Sequence, residues 1–193
     1  MRKALVSGRK LTFAIAVTGL LGAGCTAGNQ SGPQMMGNGS AYHYSKVSCA
    51  APRLPGHTVN VVLGDMGMTQ MMGGTAPRGV RMRLRAIPAT VVAGQVSLVA
   101  TNRGWRTHEL VILPLDAGES AGHRVPDSHG KVDESASLGE ASRSCGADEG
   151  DGIRAGSVGW TTLTLAPGRY ELVCNLTNHY ADGMYQEILV TSS

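Results

Sequence analysis

The chain has 193 residues, 42% hydrophobic and 16% charged, which is room for one domain of ordinary size beside flanking segments. Its formal net charge of +3 comes from its beginning: Arg2, Lys3, Arg9 and Lys10 supply four of the 17 basic side chains, and residues 1–24 hold none of the 14 acidic ones. The remainder is balanced, 13 basic against 14 acidic, which argues against nucleic acid as a partner.

In chain order, the basic MRKALVSGRK is followed by the apolar LTFAIAVTGLLGAG, the pattern of an export signal over residues 1–24 and short for a membrane span. Ala23 and Gly24 before Cys25 resemble a bacterial lipoprotein box, which implies lipidation of Cys25 and a membrane anchor on the extracytoplasmic side; secretion without lipid and an uncleaved anchor are the other readings. Residues 25–45 are small, polar and Gly-rich, the composition of a flexible tether. A single domain is expected over residues 46–193.

Strand patterns fill that domain. TVNVVL, Thr58 to Leu63, is rich in β-branched residues. Val80, Met82, Leu84 and Ala86 alternate with Arg81, Arg83 and Arg85, a period of two that buries one face. TVVAG, QVSLVATN, HELVIL, TTLTLA, RYELVC and QEILV follow, punctuated by Pro88, Gly94, Asn102-Arg103-Gly104 and Pro167-Gly168. No repeat and no helical period interrupts them, so the expected fold is all-β, a Greek-key sandwich or barrel. A hydrophilic insertion spans about residues 115–158 and is expected to be a surface excursion with some short helix.

The chemistry lies between the last two strands, in CNLTNHYADGM. Cys174, His179 and Met184 combine thiolate, imidazole and thioether, a soft set that suits copper once one more imidazole joins it. Zinc takes a thioether poorly, which makes a structural zinc site the weaker reading. The fourth donor is expected at His108, at the head of HELVIL after a turn, with His57 as runner-up.

The order QVSLVATN, HELVIL, LAPGRYELVC, then His179 and Gly183-Met184, resembles the cupredoxin family of type 1 blue-copper proteins over roughly residues 58–193. The resemblance implies a cupredoxin-like domain with one type 1 copper, His108, Cys174 and His179 equatorial and Met184 axial. It departs from the family at Asn178, where Gly is common before the second His, and at Glu109, where an Asn is common. Asn102 or Asn175 would take over that Asn's role.

With Cys25 lipidated and Cys174 on metal, Cys49 and Cys145 remain, and in an oxidising compartment they are expected to pair. GDMGMTQMMGG offers Met66, Met68, Met71 and Met72 either as a second, labile Cu(I) site or as apolar filling and a docking face. The Arg81, Arg83, Arg85 row is either a solvated strand face or a docking row for an acidic partner.

The functional expectation is a non-enzymatic periplasmic or extracytoplasmic electron carrier serving a redox partner, with His179 as the exposed edge through which electrons leave. The alternative is a copper-delivery lipoprotein using the Met-rich loop between a copper donor and acceptor. Oxidase or reductase chemistry needs further copper centres, and no His-x-His pair occurs in the chain.

Overall fold

The computed structural model describes residues 46–65, 81–141, 143–145 and 152–192. The leader, the tether, Cys25 and the loop methionines Met66, Met68, Met71 and Met72 lie outside the described residues. Ten strands run through the described part: β1 (His57–Asp65), β2 (Met82–Ile87), β3 (Thr90–Val92), β4 (Gly94–Asn102), β5 (Val111–Leu115), β6 (Gly139–Glu140), β7 (Arg143–Ser144), β8 (Val158–Leu165), β9 (Gly168–Val173) and β10 (Tyr185–Thr191).

Alternation along the strands sets their faces. In β1, Val59, Val61 and Leu63 are fully buried; in β2, Met82, Leu84 and Ala86 turn inward while Arg83 and Arg85 are exposed. Two five-stranded sheets result, in the orders β2-β1-β4-β8-β7 and β3-β10-β9-β5-β6. β1 and β4 run parallel, as do β10 and β3, and the other pairs are antiparallel. The chain crosses between the sheets after β2, β3, β4, β6 and β8, in keeping with the Greek-key expectation; the crossing after β4 carries His108 and the one after β8 leads through β9 to Cys174.

The two inner faces close on one core. Val61, Leu63, Leu98 and Ala100 from the first sheet pack with Ile112, Leu172 and Ile188 from the second and with Leu110 just ahead of β5. Cys174 and Met184 belong to this same core cluster, so the sulfur donors are part of the hydrophobic interior.

Within HELVIL the run LVIL is apolar throughout because β5 is covered on both faces. Leu110 and Ile112 enter the main core, while Val111 and Leu113 join Val132, Val173 and Tyr180 in a second cluster under the insertion. His108 does not open that strand: it stands three residues ahead of β5, in an isolated bridge to Ile153.

The insertion differs from expectation in one respect. Its described residues hold turns and the short strands β6 and β7, with no helix. Instead it is fastened by side chains. Glu171 of β9, fully buried, receives Arg124 Nε at 2.6 Å, Tyr180 Oη–H at 2.9 Å and the Gly122 N–H at 2.7 Å. A buried carboxylate with three donors is a satisfied one, which is why so polar a segment can cover a sheet. The Cys49–Cys145 disulfide forms as expected, with a Cα–Cα distance of 6.1 Å and a sequence separation of 96.

Candidate metal centre

Cys174 follows β9 and Met184 precedes β10, and they continue the ladder by one step. Beyond the Val173–Tyr185 pair, the Cys174 N–H donates to the Met184 carbonyl at 3.0 Å. The connecting residues 175–183 fold back as consecutive turns: His179 N–H to Leu176 O at 2.9 Å, Asp182 N–H to Asn178 O at 3.0 Å, and Met184 N–H to His179 O at 3.1 Å. Asn178 adopts a φ of 68°, left-handed backbone that Gly takes freely and Asn tolerates better than most residues. That accounts for Asn where a Gly is common.

His108 arrives on the crossing after β4. Asn102, buried at the end of β4, donates through Nδ2 to the carbonyls of Arg106 and Ile153, both at 2.6 Å, and accepts the Gly104 N–H at 2.9 Å. The bend so made delivers His108, whose N–H and C=O both pair with Ile153.

Three donor atoms then converge. His179 Nδ1 lies 3.2 Å from both Cys174 Sγ and His108 Nδ1, and His108 Nδ1 lies 4.0 Å from Cys174 Sγ. Among the described residues, His108, Cys174 and His179 form the one group of His, Cys or acidic side chains with ligand atoms within 4.8 Å of one another. Met184 is fully buried in the core cluster with Cys174. His57 is exposed at the start of β1, and His123 and His129 lie in the insertion, all outside the group.

Burial governs the electrostatics. His108 and Cys174 have no exposed surface, and His179 is 5% exposed, so it is not the open edge that its loop position suggested. Burial pushes the Cys174 thiol up to about 12, against the lowering effect of backbone N–H groups that include Glu109, 3.1 Å from Sγ. Burial, then the charges of His108 and Arg106, lowers His179 to about 3, which keeps its imidazole neutral and available as a ligand. Two imidazole nitrogens and a thiol brought together in a buried cluster, with a buried thioether on the same loop, suit one type 1 copper ion; no carboxylate belongs to the donor group.

Of the two Asn residues expected to support the ligands, Asn102 shapes the His108 bend. Asn175 joins the insertion to the ligand loop, accepting the Val132 N–H at 2.8 Å and donating to the Val132 carbonyl at 3.0 Å. One participant escaped the sequence reading. Asp65, the last residue of β1, is fully buried and its Oδ2 lies 2.9 Å from His108 Nε2. Burial raises its carboxyl, but the His108 and Arg106 bonds outweigh this and leave it below the usual carboxylate range. The only trace in the sequence is an acid closing a strand rich in β-branched residues.

Fold and site together define a class: an all-β sandwich with one buried, soft-donor metal centre at the end of its core. No family model matches the chain, and no curated protein matches it. Among solved structures the chain is similar to rusticyanin from Thiobacillus ferrooxidans, at 21% identity over 77% of this chain and 87% of that one, with a TM-score of 0.36. It is also similar to auracyanin B (21% identity, 78% and 98% covered, TM-score 0.41). A third is the reduced auracyanin of the photosynthetic bacterium Roseiflexus castenholzii (15%, 72% and 98%, 0.40).

Proposed function

We propose that the protein is an extracytoplasmic electron carrier with a single type 1 copper held by His108, Cys174, His179 and Met184. The observation that carries this is the convergence of three buried soft donors within 4.8 Å of one another, supplied by two segments that separate strands of a rigid sandwich. Bound copper supplies a one-electron Cu(II)/Cu(I) couple. The chain supplies a fixed geometry: the Cys174–Met184 backbone bond and the Asn102 bend leave the ligands little to rearrange between the two states. The Glu109 N–H aimed at Sγ offsets thiolate charge in a place water cannot.

Export is supported by the leader pattern and by the Cys49–Cys145 disulfide, a bond rare in reducing compartments. Anchoring through a lipid on Cys25, and a redox protein as partner, complete the reading. Titration of the purified protein with Cu(II) is expected to saturate at one equivalent and to produce an intense red-absorbing thiolate-to-copper band. That band is expected to vanish in Cys174→Ser. Reversible reduction with copper retained supports the carrier. Rapid loss of Cu(I) to an apo-acceptor would favour copper delivery, and a band surviving in Cys174→Ser would remove the assignment.

A further inference from the structure

The end of β1 is an unusual place for an acid. Asp65 has no exposed surface, and it closes a strand whose inward residues are Val59, Val61 and Leu63. Leaving a carboxylate in a core costs several kcal/mol unless donors and a counter-charge meet it. The donors are present and all aim at one oxygen: Oδ2 lies 2.9 Å from His108 Nε2 and accepts the backbone N–H groups of Trp105 and Arg106, each at 3.0 Å. Oδ1 has no hydrogen-bond partner among the described residues.

The neighbouring turn is shaped around this carboxylate. A Cβ on Gly104 would collide with Oδ2, so the position has room only for Gly. The parallel register of β1 and β4 pairs Leu63 with Asn102, which sets Asp65 beside the turn that leads to His108. Two backbone donors alone would be served as well by an Asn. A full carboxylate matters to something that carries charge.

His108 connects it to such a thing. Its Nε2 faces Asp65 while its Nδ1 faces Cys174 and His179, so the ring stands between the carboxylate and the donor cluster. Asp65 is therefore outside the donor set. A carboxylate accepts only, so the Nε2 it faces must carry the proton, and Nδ1 is left with its lone pair turned inward.

We infer that Asp65 is the positioning residue of His108, fixing its tautomer and adding a buried negative charge that favours Cu(II) over Cu(I); this rests on the copper reading above. With Cu(II), the Cys174 thiolate and the Asp65 carboxylate balance the ion. With Cu(I), one negative charge is left over in the core. Asp65 thus lowers the reduction potential and tightens the hold on the divalent ion.

The test uses Asp65→Asn, which keeps the shape and removes the charge, and Asp65→Ala, which removes both. Asp65→Asn is expected to keep the red-absorbing band while shifting the Cu(I):Cu(II) preference at least about tenfold toward Cu(I), which is about 59 mV upward for a one-electron couple. Asp65→Ala is expected to lose Cu(II) affinity by about 10- to 100-fold. A third measurement needs no variant: ¹⁵N NMR of the metal-free wild type is expected to show His108 as the Nε2–H tautomer. An Nδ1–H tautomer in the wild type, or an unchanged potential in Asp65→Asn, overturns the proposal. If the wild type takes up copper without the thiolate band, the copper reading fails, and the tautomer still decides the role of Asp65.

Discussion

At the scale of single residues, the ligands give the metal-free protein a defined pH window. His179, held down to about 3, stays neutral in the fold while an unfolded histidine protonates near 6.5. The unfolded chain therefore binds the extra proton first, and stability falls as pH drops below about 6.5, at up to about 1.4 kcal/mol per unit from this group. Cys174, pushed up to about 12, works on the other flank: the unfolded thiol ionises near 9 and the folded one does not, so stability falls again as pH rises past 9. Denaturant titrations from pH 4 to 11 on apoprotein should show both shoulders, and Cys174→Ala should keep the acid one and delay the alkaline fall to about pH 10, where Tyr180, also raised by burial, takes over. The pairing of Cys174 with His179 was legible because six consecutive residues carry both. Asp65 was not, since 43 residues separate it from His108 and only the β1–β4 register brings them together.

At the scale of elements, the insertion and the ligand loop act as one unit. Val132 is bonded twice to Asn175, the Gly130 carbonyl accepts the Asn178 N–H at 3.0 Å, and Arg124 reaches the buried Glu171. Arg124→Leu leaves Glu171 without its cation and should cost about 3–5 kcal/mol in urea unfolding at neutral pH. Adding Glu171→Leu should restore only part of that loss: the orphaned charge goes, but the Tyr180 hydroxyl and the Gly122 N–H lose their acceptor. The strands themselves were readable from alternation, β2 most plainly, with Arg83 and Arg85 outward and Leu84 and Ala86 inward. The insertion's covering role was not. A segment that covers a sheet by an apolar stripe announces itself, whereas this one does so through Val132, a buried ion pair and a tyrosine hydroxyl, none of which stands out in a Gly- and Ser-rich stretch.

At the scale of the whole molecule, the Cys49–Cys145 bond ties the start of the described domain to the insertion across 96 residues. Closing a loop of that length restricts the unfolded chain by about 4–5 kcal/mol. The Cys49→Ser/Cys145→Ser double variant is expected to lose about that much in urea denaturation. It should keep the copper absorption band, since neither cysteine belongs to the donor group.

The burial of every donor also has a kinetic meaning. Neither Cys174 nor His108 exposes any surface, so an ion would reach them only when the surrounding chain opens locally. A site sealed this way would exchange an ion slowly, which is what the proposed carrier requires.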